Sequence, residues 1–269
     1  MTPRIRVGIG GWNFAPWRSN FYPEGLPQTR ELGYAAERLT AIEVNSTYYS
    51  SQKPATFAKW RDAAPEGFVF SLKASRYATQ RRHLAEAGES VERFVGSGIA
   101  ELGNKLGPIV WQLPPTKAFD PDDLAAFLAL LPSKVAGLAL RHVLEVRHPS
   151  FAVPAYVELA RRHHVATVFT DAADRYPSLA DATGGLVYAR LMCAQAAQPT
   201  GYSAAALAAW ADRARQWAQG KTPPDLPVVS AAAPAKAKPQ DVFVFFINGA
   251  KERAPAAAMA LIDRLGAGG

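Results

Sequence analysis

The sequence predicts an α/β fold, a closed (β/α)8 TIM-type barrel. Eight short apolar runs recur along the 269 residues, and each ends in a polar or glycine-rich cluster. Helix-forming stretches alternate with them. One such barrel takes about 250 residues, so residues 1–269 are read as a single domain. In this fold the C-terminal strand ends converge on one site. Six runs carry a charged or amide residue there: Glu43, Lys73, Gln112, Glu145, Asp171 and Arg190.

The runs cover residues 5–12, 41–49, 68–73, 108–114, 142–148, 166–171, 186–192 and 242–248. In the first, Gly8 and Gly10 share the inward face, where missing side chains leave room for a ligand or a bulky neighbour. A helix is expected over 29–39. In the second run Glu43 and Asn45 lie on one face and Ile42 and Val44 on the other, because the side-chain period of a strand is two. A helix over 54–64 leads to the third run, whose apolar and β-branched residues read as a buried parallel strand. Ser71 and Lys73 share its inward face. The fourth run contributes Gln112. The helix over 121–131 opens with Asp120 as cap, Pro121 at its first position, and Asp122 and Asp123 in its first turn.

The same parity pairs Glu145 with Arg147, Phe169 with Asp171, and Tyr188 with Arg190. The opposite faces are apolar, as helix-covered barrel walls require: Phe70, Leu72, Leu144, Val146, Val168, Ala189 and Leu191. Helices are expected over 154–163, over the alanine-rich 203–219, and over 254–265 after the last run. Residues 220–240 are Pro-, Ala- and Lys-rich without apolar period, and read as a flexible insertion before the last strand, on the face opposite the site.

A net charge of +7 and a pI near 9.6 suit anionic partners, although no Lys/Arg run exceeds two residues and a solvated basic surface accounts for the same balance. The single cysteine, Cys193, excludes an internal disulfide and a thiolate zinc cluster. No signal-peptide pattern opens the chain, and no stretch approaches the roughly 20 apolar residues of a membrane span. A cytoplasmic protein without membrane partners is expected.

Several ordered clusters resemble a bacterial and archaeal barrel family, domain of unknown function seventy-two, the YecE-like proteins. They begin with Gly8-Ile9-Gly10-Gly11-Trp12, Trp17, Phe21-Tyr22-Pro23 and Val44-Asn45-Ser46-Thr47-Tyr48-Tyr49. They continue through Phe70-Ser71-Leu72-Lys73-Ala74, Gln112-Leu113-Pro114-Pro115, Glu145-Val146-Arg147-His148-Pro149-Ser150, Asp171, Tyr188-Ala189-Arg190 and Phe246-Ile247-Asn248. The resemblance implies a TIM-type barrel and no particular reaction. It departs from the family at three places. Leu191-Met192-Cys193 stands where members often have Leu/Phe-His-Gly after the arginine; Thr79-Gln80, with His83 three residues later, replaces Thr-His; Ile247 replaces an asparagine.

The lumen thus gathers carboxylates, cations and amides. Glu43, Lys73, Glu145 and Asp171 are the candidate catalytic residues. Trp12, Asn45, Gln112, Arg147, His148, Arg190 and Asn248 are the candidate substrate-binding residues. Trp17, Trp111, Tyr48 and Tyr49 could line the rim, though Trp111 has outward parity. Paired acids permit general acid–base work; Glu145 beside Arg147 would stay ionised, and Glu43 is the candidate for a perturbed acid. Lys73, Arg147 and Arg190 can clamp a carboxylate or phosphate.

The leading reading is a hydrolase-type acid–base enzyme on an anionic, phosphate-bearing or nucleic-acid-like substrate, or on a sugar. The alternative is a non-catalytic barrel that binds nucleic acid or a phosphorylated metabolite. A buried salt-bridge lattice is the structural explanation to be set against both. Arg76, Arg81, Arg82 and His83 form a basic loop at the mouth that suits phosphates. No cofactor is expected. A divalent cation is the lesser option, because His148 has outward parity and His163-His164 precede a strand.

Overall fold

The structure, a computed structural model, describes residues 4–230 and 238–266. Eight parallel strands form it: β1 (Ile5–Gly10), β2 (Ala41–Val44), β3 (Val69–Lys73), β4 (Leu106–Gln112), β5 (His142–Glu145), β6 (Ala166–Thr170), β7 (Leu186–Leu191) and β8 (Asp241–Phe246). They close in the order β1-β8-β7-β6-β5-β4-β3-β2. β1 and β8 complete the ring, with Ile5 opposite Val242 through to Ile9 opposite Phe246. The α/β barrel expected from the sequence is the fold observed.

The longer helices that cover the strands are α1 (Glu31–Ala36), α2 (Pro54–Ala63), α3 (Gly88–Val95), α4 (Pro121–Ala129), α5 (Pro154–Arg162) and α6 (Ala204–Ala218), with α7 (Ala254–Gly266) after the last strand. The Asp120 carboxylate accepts from the Asp122 and Asp123 amides, which starts α4 as its sequence predicts. Ser203 caps α6 through the Ala206 amide. The alternation fails once: among the described residues no helix follows β6, and residues 171–185 run to β7 without regular structure. No described helix is long and apolar enough to cross a membrane.

Two apolar layers hold the barrel. The lumen is plugged by Val69, Val110, Val143, Val168, Tyr188, Phe243 and Phe245. The outer wall packs on the helices. There Trp111 lies edge-on to Phe94 of α3 and Phe127 of α4, at 5.8 and 5.6 Å between ring centres. Each such ring, fully buried, contributes about 1.5–3 kcal/mol.

Parity fails in β6. Val168 lies in the lumen plug, and Phe169 packs outward on Trp210 and Trp217 of α6 at 5.7 and 5.5 Å. Residues 168 and 169 are both apolar, so alternation alone could not orient them; the two indoles of α6 decide the matter. Trp17 leaves the expected rim as well. It is fully buried, with its Nε1–H donating to the Lys251 carbonyl.

The expected insertion at 220–240 is partly docked. The Val229 and Ser230 amides donate to Asp181 at 3.0 and 2.9 Å, and the Ala180 amide donates to the Pro227 carbonyl. The buried Asp181 carboxylate therefore captures a stretch that composition reads as free. The rest of that expectation, residues 231–237, lies outside the described residues.

A close approach fixes Gly8. A Cβ there would sit 1.9 Å from the Ala41 carbonyl oxygen and 3.2 Å from Phe245. Gly33, inside α1, has only the Ala63 carbonyl at 3.5 Å. Gly8→Ala is expected to destabilise by about 3 kcal/mol through forced backbone displacement. Gly33→Ala is expected to stabilise by about 0.5–1 kcal/mol. Urea denaturation of both variants checks the pair; equal effects of one sign would contradict the packing described.

Candidate functional site

The C-terminal ends of β2, β4, β5 and β7 bring four polar side chains into one buried lattice. Arg190, on β7, stands at its centre. Its Nε and Nη2 donate to the two oxygens of Glu43, each at 2.9 Å. Its Nη1 donates to Glu145 at 2.6 Å. Gln112 donates to the same Glu145 oxygen at 2.5 Å. The second Glu145 oxygen accepts from Nε and Nη2 of Arg147 at 3.1 and 2.9 Å. One layer lower, the Tyr188 hydroxyl bridges Glu43 at 2.9 Å and the Ser71 hydroxyl at 2.8 Å. All four carboxylate oxygens thus have donors inside the protein.

Electrostatics follow from this arrangement. Burial opposes ionisation of Glu145, but Arg190, Arg147, the Gln112 amide and Lys73 outweigh it and hold its pKa at about 2. Burial likewise disfavours the Arg190 charge, and Glu145 and Glu43 more than restore it. Burial, reinforced by Glu43, keeps the Tyr188 phenol protonated.

Lys73 differs from the other charges. It ends β3 beside the lattice and is only 8% exposed, yet it has no ion pair or side-chain hydrogen bond among the described residues. Its Nζ lies 4.2 Å from the centre of the Tyr48 ring. Burial lowers its pKa, Arg190 and Arg147 add to the fall, Glu43 and Glu145 resist it, and the result is about 8. Lys251, after β8, is a second cation of this kind. It sits over the Phe14 and Trp17 rings at 4.7 and 5.6 Å, and burial lowers its pKa.

The structure therefore brings together Glu43, Lys73, Gln112, Glu145, Arg147 and Arg190. Glu43 and Glu145, the acid and base suggested by the sequence, have all their oxygens engaged by guanidinium, amide and hydroxyl donors. Asn45 stands at the mouth, its Nδ2 3.0 Å from where a Gly10 Cβ would be.

Four candidates fall outside the cluster. Asp171 is past the end of β6, and its two oxygens accept from the Met192 amide and the Tyr202 hydroxyl, both at 2.6 Å, which makes it a strap between loops. Its expected inward parity fails with that of Phe169: Val168 and Thr170 take the inward face of β6, and the strand ends at Thr170. Trp12 packs edge-on against Trp60 of α2 at 5.3 Å, on the helix side. His148 caps a short turn, its Nδ1 accepting from the Ser150 amide. Asn248 is exposed on the bend after β8, and Ile247 takes the inward position.

Other participants escaped the sequence. Thr170 ends β6 in register with Arg190, and its alternation with Val168 was the available signal. Tyr176 lies under the Arg147 guanidinium at 4.5 Å. Nothing local marks it. Next to the mouth, Gln80, Arg81, Arg82, Pro114, Thr116 and Lys117 line a cavity of about 500 Å³. It joins the lattice region through the Gln80 amide, which donates to the Tyr48 hydroxyl at 2.7 Å. Arg82 and His83 are exposed there, as the basic loop suggests. Among the described residues no three His, Cys, Asp or Glu side chains gather where an ion could be held.

Fold and site together define a parallel (β/α)8 barrel protein with a charged cluster closing its C-terminal mouth. Residues 6–269 match the family described as "Protein of unknown function DUF72", and the chain belongs to it. It is 27% identical over 150 residues to the UPF0759 protein YecE of Escherichia coli K12, an alignment covering 55% of this chain and 50% of that protein. The match thus spans about half the length of that relative. A DUF72 family protein of Thermotoga maritima superposes with a TM-score of 0.74 at 20% identity, covering 97% of this chain and 99% of the other. One from Enterococcus faecalis gives 0.70 at 18%, covering 98% of each. At these identities the two structures show the shared fold.

The lattice makes acid stability a test. Because the pKa of Glu145 is held below its ordinary 4.5, its ionic contribution is full above about pH 4.5 and is lost as pH falls toward about 2. Glu145→Gln should therefore flatten the fall in stability across that window, as read by denaturant unfolding at a series of pH values. Arg190→Met, which leaves the buried Glu43 with no cationic partner among the described residues and removes one of the two from Glu145, should cost about 3–5 kcal/mol at neutral pH. A cost below 1 kcal/mol would contradict a central role.

Proposed function

We propose that the barrel mouth is the site of an acid–base enzyme acting on an anionic substrate, phosphate-bearing or carboxylate-bearing, by hydrolysis or elimination. One observation carries this reading: Lys73 is a nearly buried cation with no carboxylate partner, beside two carboxylates already neutralised. A buried ammonium without a counterion is costly. An anion arriving at the mouth would relieve that cost.

Lys73 also suits proton transfer. A group with a pKa of about 8 exchanges protons readily near neutrality, which is where acid–base catalysis is most efficient. Arg147 has its Nη1 only 3.5 Å from the Tyr176 hydroxyl, a weak bond that a substrate oxyanion can replace. Lys251 adds a second unpaired positive charge. The Glu43–Arg190–Glu145 lattice would hold these groups in place. Two-carboxylate glycoside hydrolysis fits less well, since it needs two carboxyl groups free to reach a sugar and both Glu43 and Glu145 are engaged by donors within the protein.

The occupied lattice equally favours a second reading, a rigid recognition site for a phosphorylated metabolite or nucleic acid without turnover. Lys73→Arg separates the two. It keeps the charge and removes a group able to titrate near pH 8. Inorganic phosphate binding should survive in Lys73→Arg and weaken about ten-fold or more in Lys73→Met. Turnover of chromogenic phosphomonoesters and phosphodiesters should be abolished by both, and in the wild type should show an inflection near pH 8. Unchanged phosphate affinity in Lys73→Met would overturn the anion site; binding without turnover of any ester would favour the recognition reading.

A further inference from the structure

The opposite end of the barrel carries a second cationic cluster that no step at the mouth uses. Arg6 lies on β1 two residues before the inward-facing Gly8, in register with Phe243 of β8. Its guanidinium carbon is 5.8 Å from the centre of the Phe243 ring. Arg141, immediately before β5, places its guanidinium 5.2 Å from the same ring. Two like charges therefore share one aromatic ring at the N-terminal opening. Burial lowers the Arg6 pKa, and Arg141 and Arg4 lower it further, while Asp241 opposes them.

One carboxylate serves this group, and it is occupied. Asp241 Oδ2 accepts from Arg141 Nη1 at 2.8 Å. Its Oδ1 accepts from the Arg4 backbone amide at 3.0 Å. Arg6 Nε is buried and has no hydrogen-bond partner among the described residues. Residues 1–3, 231–237 and 267–269 contain no Asp or Glu, so no acidic side chain remains in them to supply one. A buried N–H donor on a charged group is costly when it is left unpaired. The apolar plug of Phe243, Phe245 and Tyr188 closes the lumen above, so a partner must enter from the N-terminal opening.

We infer that Arg6 and Arg141 form an oxyanion-binding site at the N-terminal end of the barrel, suited to a phosphate group. A tetrahedral oxyanion offers several acceptor oxygens, which two guanidinium groups can bind at once. A carboxylate has fewer oxygens to share between them. Such a ligand would tie β1, β5 and β8 together at the end opposite the Glu43–Arg190–Glu145 lattice. The site is independent of any reaction at the mouth.

The test uses the full chain in a Lys73→Met background, so that phosphate at the mouth does not contribute. Inorganic phosphate is titrated at constant ionic strength against chloride, with calorimetry and the side-chain Nε–H resonances of arginine as readouts. Saturable binding that perturbs an arginine Nε–H signal is expected. Adding Arg6→Met should weaken it about ten-fold or more, the scale of one charge-assisted hydrogen bond. Arg141→Met, at a half-exposed position, gives the same readout should the Arg6 variant fail to fold. Parallel titration with phenyl phosphate assigns the source: equal binding points to a phosphate ester, and phosphate binding alone to the free ion. Phosphate no better than chloride, or affinity unchanged in a folded Arg6 or Arg141 variant, would overturn the site.

Discussion

The guanidinium of Arg190 is the constraint on which the barrel mouth depends. It reaches from β7 to Glu43 on β2 and Glu145 on β5, three strands that are not neighbours in the ring. No backbone ladder links these strands directly, so the side chains set their separation across the lumen. Buried ion pairs roughly break even in stability, because desolvation offsets their attraction. Their effect here is positional. Arg190 is the member both carboxylates share, so its removal would leave Glu43 charged, dry and without a cationic partner.

This arrangement explains why charge is distributed unequally at the mouth. Arg190 and Arg147 take every oxygen of Glu43 and Glu145, with Gln112 and Tyr188 completing the set. Lys73 and Lys251 are then left to aromatic rings, which attract cations weakly and neutralise nothing. A mouth that contains two acids thus presents cationic groups to a ligand. Counting carboxylates in the sequence draws attention to Glu43; the hydrogen bonds show that its oxygens are engaged and that Lys73 has no ion pair among the described residues.

The barrel was largely legible in the sequence, and the reasons are local. Strands buried on both faces read as short apolar runs, and period two placed Glu43, Ser71, Lys73, Glu145, Tyr188 and Arg190 on the inward side. The reading failed where local pattern was silent. Val168 and Phe169 are equally apolar, and only Trp210 and Trp217, some forty residues later, orient the pair. Asp171 shares the parity of Phe169, which faces outward, and the strand stops one residue earlier. The docked residues 227–230 depend on Asp181, buried more than forty residues before them. Pairings such as Arg190 with Glu43, 147 positions apart, leave no mark on composition or period.

Asp171 separates two kinds of structure at this end of the molecule. By gripping the Met192 amide and the Tyr202 hydroxyl, it anchors the helix-free passage of residues 171–185 from its base. The passage is pinned a second time by the buried Asp181, which docks residues 227–230, and adds no strand to the ring. Insertions or deletions between these two anchors would leave the inner ion pairs in register. Tyr176, which rides on this passage and touches Arg147, would move with them. The surroundings of Arg147 can therefore be rewritten from this border without disturbing the strands beneath.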